Sequence, residues 1–484
     1  MQAKKLTLLD ATLLVSGSMI GSGVFIVAAD MTRQVGSSGW LLLAWVLTCL
    51  MTLMAALAFG EMSSMYPQAG GQYNYISKAW GKGLGFVYGW SVFTVIQTGV
   101  IAAVAMAFAK YLAVIFPGIS GVHQDGTWFG EGHAFLGWIR IDQTIAIGSI
   151  LLLTLINSRG IQESKWVQRI FTLAKLLALF AIIGVGIYCA QTLPVLRQNL
   201  QDMWSASSFN GSVWIPIGGI ALASAFSGAM VGSLFSSDAW QGLTFMSNEI
   251  EQPERTIPKA LVLGTGIVTL VYCLTQVAYM SILPLKGDSS ATSTVMQQGI
   301  AFAELDRVGA AAASGFMGNA HEMGPIFMAI LIVISTFGCN NGLILAGSRL
   351  FRAMASQGYF LAKAEPLNRH GVPGNALWMQ AIWSSVLCLS GSYGELLEYC
   401  TFASLLFYVV TVLGLFRLRK REPQHDRPYK TWGYPIIPAI YCVLAFAICI
   451  GILSSKFESS LKGLFLVALG FPIYHFLLRK KLKS

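Results

Sequence analysis

Residues 17–23 read Gly-Ser-Met-Ile-Gly-Ser-Gly in the middle of an otherwise apolar stretch that runs from about residue 6 to residue 29. At about 1.5 Å of helical rise per residue, that stretch is long enough to cross a hydrocarbon core of roughly 30 Å. Three glycines in seven positions weaken a helix at a depth where no water replaces lost backbone hydrogen bonds. N–H and C=O groups released there are tolerated only when buried in protein or lining a cavity, so they become ligand groups. The half-helix resuming near Ser22 and Gly23 would aim its first N–H groups at an anion such as a substrate carboxylate, with the positive end of its dipole behind them. The spacing of Gly17 and Gly21 is equally what a Gly-x-x-x-Gly packing face between helices requires.

The rest of the chain supplies the context. Of its 484 residues 55% are hydrophobic and 11% charged, and the mean hydropathy is +0.62. A typical soluble domain carries roughly 25% charged residues. Twelve apolar runs follow one another, at about 8–30, 39–65, 84–116, 141–157, 166–190, 216–247, 258–284, 323–351, 375–391, 394–417, 434–454 and 461–478. An all-α membrane protein of twelve transmembrane helices is expected, and the first segment is too long, and lacks the small-residue site, to be a cleavable signal peptide.

A net charge of +10 suggests nucleic acid only if the charges cluster for that purpose. With the N-terminus inside, the basic residues instead gather on one side of the membrane. Lys4, Lys5, Lys78, Lys82, Arg159, Lys165, Arg169, Arg255, Lys259, Arg349, Arg352, Lys363 and Arg369 fall on the cytoplasmic side, as do six between 417 and 430 and Arg479, Lys480, Lys481 and Lys483. Both termini are therefore expected in the cytoplasm by the positive-inside rule, in a plasma membrane or a bacterial inner membrane. No nucleic-acid partner is expected.

Eight cysteines are present without a Cys-x-x-Cys pair, and the six histidines lie in loops or at helix ends, so packing thiols are expected and no metal. The chain has no Gly-x-x-x-x-Gly-Lys-Ser/Thr element, which argues against direct ATP drive. No nucleophile or cofactor constellation is visible, so no enzyme and no cofactor are expected.

A second interruption lies in the sixth run, where Ser236-Ser237-Asp238-Ala239 follows Phe235. Ser and Asp bond their own backbone and loosen helices, and a carboxylate at membrane depth is costly enough to be functional by default. Breaks five spans apart are what a five-plus-five inverted repeat with discontinuous helices 1 and 6 requires, with the site between them. The units would be 1–190 and 191–417, leaving 418–484 outside the repeats. Carbonyls near Phe235, Ser236 and Asp238, with that of Ile20, are candidates to receive an ammonium group; alternatively Asp238 reaches for an end of its helix. Lys175 lies one to two turns into the fifth run with no acidic neighbour. It needs backbone carbonyls of other helices, unless its long stem carries it to the interface.

Several motifs carry a resemblance. The stretch 60–75 (Gly-Glu-Met-Ser-Ser-Met-Tyr-Pro-Gln-Ala-Gly-Gly-Gln-Tyr-Asn-Tyr), Phe171-Thr-Leu-Ala-Lys-Leu-Leu-Ala and 249–260 (Glu-Ile-Glu-Gln-Pro-Glu-Arg-Thr-Ile-Pro-Lys-Ala) resemble the amino acid, polyamine and organocation (APC) transporters, most closely their L-type amino acid transporter branch. Ser335-Thr-Phe-Gly-Cys-Asn-Asn-Gly, Ser348-Arg-Leu-Phe, Arg419-Lys-Arg-Glu-Pro and Asp426-Arg-Pro-Tyr-Lys extend it over nearly the whole chain. The resemblance implies that Ile20, Gly21, Ser22 and Gly23 hold the α-carboxylate and part of the ammonium of an L-amino acid, and that Phe235 is an aromatic gate. It implies that Lys175 bridges helices 1 and 8 and replaces a sodium ion, and that Asn341 is a polar position near the pocket. Gln97 on the third span is a further candidate for the pocket wall, or a packing contact.

Two departures matter. Asp238 stands where animal members carry glycine, and the loop 118–140 has no cysteine with which to join a glycoprotein heavy chain, so no such partner is expected. The reading is a sodium-independent exchanger of L-amino acids, neutral ones favoured, working by alternating access. The alternatives are a proton-coupled or cationic amino acid or polyamine permease using Asp238 and, from another class, a membrane receptor or channel.

Overall fold

The computed structural model describes residues 5–116, 139–289, 294–317, 323–390 and 393–478. Lys4, the four basic residues expected at the C-terminus and most of the loop 118–140 lie outside the described residues.

Helix α1 (Leu8–Met19) opens on a capping box: the Asp10 amide donates to Thr7 Oγ1, and the Asp10 carboxylate accepts from the Thr7 amide. After a gap at Ile20, Gly21 and Ser22, α2 (Gly23–Val35) runs to Gly36, whose φ of 47° ends it in the left-handed region. Helices α3 (Ser38–Met65), α4 (Gly71–Trp80) and α5 (Lys82–Ser91) follow. A π-helical turn over Val92–Ile96 joins α5 to α6 (Gln97–Ile115) as one long span. Next come α7 (Ile141–Ser158), α8 (Ile161–Thr192) and the short α9 (Val195–Leu200).

An antiparallel hairpin, β1 (Ser207–Phe209) and β2 (Trp214–Pro216), then departs from the all-helical expectation. Its turn is local chemistry: the Asn210 side chain accepts from the Ser212 and Val213 amides, and Gly211 takes a φ of 99°. Thereafter the chain forms α10 (Gly219–Ser236), α11 (Gly242–Phe245), α12 (Pro253–Ile282), α13 (Val295–Gln298), α14 (Val308–Met317) and α15 (Met323–Ser356). It ends with α16 (Gly374–Ser390), α17 (Tyr393–Arg421), α18 (Ile436–Ser455), α19 (Phe457–Ala468) and α20 (Gly470–Ile473). Among the described residues, eleven helical stretches are long and apolar enough to cross a membrane. The expected ninth span is α16, a helix of 17 residues.

Burial separates the centre from the rim. In the apolar 18-residue stretch of the Leu8–Val35 span 94% of the residues are buried, against 33% in that of α18. The exposed side of α18 carries Ile436, Ile440, Val443, Phe446 and Ile450 at three- and four-residue spacing, an apolar stripe suited to lipid. The broken first span is therefore the core of the bundle, with α10 and α12 packed against its two halves.

The sequence motifs meet in pairs. Glu61 of α3, fully buried, accepts two hydrogen bonds from Arg419 at 2.8 and 2.6 Å and one from the Thr431 amide at 2.7 Å, with Arg427 Nε at 3.3 Å. Glu249 pairs with Arg349 at 3.0 Å. A Cβ built on Gly338 of α15 would lie 2.4 Å from that of Phe171 of α8, so the two helices touch there only because one residue is glycine. Glu61→Gln leaves two guanidinium groups short of their counter-charge. Breaking such a pair costs about 3–5 kcal/mol, so detergent-solubilised protein should melt several degrees lower; an unchanged melting curve would show that the cluster holds nothing together.

Candidate functional site

The last turn of α1 releases carbonyl groups that the missing next turn would have bonded. Each finds a side-chain donor. Lys175 Nζ donates to Ile20 O at 2.9 Å and closely to Gly17 O. Cys339 Sγ lies 3.0 Å from Ser18 O, Tyr272 OH donates to Met19 O at 3.0 Å, and Ser335 Oγ reaches Ile20 O at 3.4 Å. Lysine, tyrosine, serine and cysteine from α8, α12 and α15 thus hold open a break that glycine only permits. Lys175 is fully buried. Its ammonium is solvated by backbone oxygens, as the sequence requires of a lysine there.

At the other side of the break, no side chain caps the N-terminus of α2. Its first N–H groups keep the orientation that favours a negative charge. Gly23 is the point of closest approach to the second break: a Cβ there would sit 2.1 Å from Ser236 Oγ and 3.0 Å from Ser236 Cα. Gly21 similarly admits Cys339, whose Sγ would lie 2.9 Å from an added Cβ. Close packing by glycine and a broken helix are therefore one feature in this chain.

The second break follows Ser236. Ser237 leaves helical geometry, Ala239 takes a φ of 72°, and α11 begins only at Gly242. A left-handed alanine costs about 1–2 kcal/mol, which the surrounding packing must hold in place. Tyr272 OH also reaches Ser236 O at 3.2 Å, so one hydroxyl spans both interruptions. Phe235 is buried and meets Tyr393 edge-on at 6.1 Å between centroids, and Tyr393 OH lies 3.5 Å from Ser22 Oγ. This aromatic pair lies beside the first break.

Asp238 faces a different way. Its carboxylate accepts a short hydrogen bond from Tyr408 and one from Ser404 at 3.3 Å, both on α17. It lines a small cavity with Thr52, Ser237, Thr401, Ser404 and Tyr408. The buried hydroxyls of Ser237 and Thr401 have no hydrogen-bond partner among the described residues. Polar capacity therefore remains beside the carboxylate.

The remaining candidates sit in helix seams. Asn341, fully buried on α15, accepts from Asn157 of α7 at 2.8 Å. Gln97 donates to the Leu343 carbonyl at 2.8 Å and packs over Gly347, in the seam between α6 and α15. Tyr272, Tyr393 and Tyr408 escape sequence reasoning because single tyrosines on apolar helices give no local signal of what they meet. Ser335 and Cys339, by contrast, lie within a quoted motif. Among the described residues no group of three His, Cys, Asp or Glu side chains is placed to hold a metal.

The chain is similar in sequence to known amino acid transporters. The chain is 27% identical over 474 residues to the human Asc-type amino acid transporter 1, covering 97% of this chain and 82% of that protein. It is 26% identical over 454 residues to the human b(0,+)-type amino acid transporter 1, covering 94% and 83%. With the human cystine/glutamate transporter it shares 27% over 474 residues, covering 98% and 85%. Residues 6–471 match the amino acid permease family, and the chain belongs to that family.

Proposed function

We propose that this protein exchanges L-amino acids across a plasma or bacterial inner membrane by alternating access, independently of sodium and without a covalently attached heavy chain. The observation that carries the reading is the convergence of the uncapped start of α2 on the second break at Gly23 and Ser236. Substrate carboxylate goes to the N–H groups of Gly21, Ser22 and Gly23. Its ammonium goes to carbonyl oxygens near Ile20, Phe235 and Ser236, of which that of Ser236, accepting from Tyr272, keeps a second lone pair. Phe235, with Tyr393, closes over the bound molecule.

Lys175 supplies at the first break the positive charge that a cation would otherwise bring. Asn341 and Gln97 hold α15 against its neighbours beside the pocket. Units 1–190 and 191–417 form the two inverted repeats, 418–484 lies outside them, and both termini face the cytoplasm. Neutral side chains are favoured, because Asp238 is already engaged by Tyr408 and Ser404.

The direct test is uptake of labelled L-leucine into proteoliposomes, competed in turn by the other amino acids. Uptake is expected to accelerate several-fold when unlabelled amino acid is inside and to be unchanged when choline replaces sodium. Uptake indifferent to internal amino acid would sink exchange, and a sustained unsaturable current would favour a channel.

The cavity beside Asp238 supports a second reading, a cationic or proton-coupled substrate, and one variant separates the two. On the favoured reading Asp238→Asn leaves both the pH profile and the ranking of neutral substrates as they were, since the amide keeps an acceptor for Tyr408. Loss of lysine, arginine or ornithine uptake would assign the carboxylate to a cationic side chain, and a flattened pH profile would assign it to a transported proton.

A further inference from the structure

A cavity of about 330 Å³ lies between α2, α6, α10 and the start of α17, with Tyr393 in its wall. Its walls are rich in charge, and almost all of that charge is matched. Arg33 pairs with Asp306 at 2.7 Å and with Asp30 at 3.7 Å, Lys456 pairs with Glu398 at 2.6 Å, and Arg140 pairs closely with Asp142. Lys110 is the exception. Among the described residues it has neither an ion pair nor a hydrogen bond, and its ammonium lies 5.4 Å above the ring of Tyr393. Tyr393 is the residue that touches Ser22 and Phe235. A cation that no carboxylate contacts directly, with Asp306 and Asp142 acting on it from further off, thus stands beside the tyrosine that meets Ser22 and Phe235.

We propose that Lys110 is an outer recognition site for the α-carboxylate of the incoming amino acid, holding it in the cavity before it passes the Phe235–Tyr393 pair. The proposal rests on the amino acid exchange reading and extends it to a site that exists on one face of the membrane only. A volume of this size accommodates a small polar ligand. Low-dielectric walls concentrate the field of a charge without a direct ion pair, so Lys110 attracts a carboxylate more strongly than a surface lysine does. The paired cations cannot compete, because a carboxylate would have to displace a partner already within hydrogen-bond reach. Contact with the Tyr393 ring is weak enough to be exchanged for a carboxylate and keeps the ammonium beside that tyrosine meanwhile. Releasing it from the ring also alters the environment of the tyrosine that meets Ser22, which links occupancy of the outer site to the first break.

The test compares right-side-out with inside-out membrane vesicles. Labelled L-alanine, L-leucine, L-glutamate and L-arginine are measured separately on the unmodified protein, Lys110→Met and Lys110→Arg. Lys110→Met is expected to raise KM about three- to tenfold on the face that bears the cavity, with the rate at saturation and the KM on the other face retained. The effect should be largest for L-glutamate and smallest for L-arginine, and it should shrink as salt is raised. Lys110→Arg should retain most of the affinity.

A KM unchanged on both faces overturns the outer site, as does an equal loss on both faces, which would mark Lys110 as a packing residue. Failure of the unmodified protein to take up any of the four amino acids would instead overturn the exchange reading itself.

Discussion

Gly23→Val should abolish transport while leaving the protein folded. The residue sits at the junction of the two breaks, where an added Cβ would fall 2.1 Å from Ser236 Oγ and 3.0 Å from Ser236 Cα. The first of these contacts yields to a rotamer change and the second does not, because it is backbone. Overpacking of this kind costs about 1–3 kcal/mol or more, so uptake should drop roughly a hundredfold. The branched side chain also stiffens a position that must move during the cycle.

A paired variant separates this cause from simple filling of the carboxylate site. Gly23→Ala should be impaired, and adding Ser236→Gly should recover part of the lost rate by removing the Oγ and Cβ that the new methyl meets. If the double variant is no better than Gly23→Ala, the steric account fails and direct obstruction of the ligand replaces it. Well-expressed Gly23→Val protein with normal uptake would remove both breaks from the proposed site.

The second large effect is expected at Lys175. Its ammonium donates to two carbonyl oxygens, of Gly17 in α1 and of Ile20 in the gap after it, at a depth where neither finds water. Lys175→Met keeps the apolar stem and deletes the donor. Gly17 O then loses the donor described here, whereas Ile20 O retains Ser335 at 3.4 Å. A buried carbonyl without a partner costs about 1–3 kcal/mol, and the break can relieve that cost by shifting α1 relative to α15.

Turnover should therefore fall at least about tenfold, with KM changed less, because the lost bonds position the broken helix and do not touch the ligand. The unmodified protein should take up amino acids equally in sodium and in choline buffer. A steep sodium dependence in the unmodified protein would refute the idea that lysine stands where a cation would bind. A rise in KM with unchanged turnover would instead place Lys175 in contact with substrate.

Membrane character, the two weak points at 17–23 and 236–239, and the need of Lys175 for carbonyl partners were all legible in the sequence, because each follows from local composition at a known depth. A glycine triad cannot continue a helix in lipid without help, and a lysine without an acidic neighbour in a helix must be solvated by something. The quoted motifs also contain Glu61, Arg419, Glu249 and Arg349, without a sign of how they pair.

What those residues do depended on contacts between distant parts of the chain. Glu61 and Arg419 are 358 positions apart, yet they share one buried cluster. The donors that hold the first break open come from α8, α12 and α15, and Tyr272, which spans both breaks, has no neighbour in sequence that hints at it. Periodicity and propensity report on neighbours within a turn or two, whereas a helix break in lipid is stabilised by whichever side chains the tertiary fold brings to its orphaned carbonyls. Local sequence therefore determined where the backbone of this protein would fail to stay helical, and only the packing of α8, α12, α15 and α17 decided which groups answer that failure and which way Asp238 and Lys110 face.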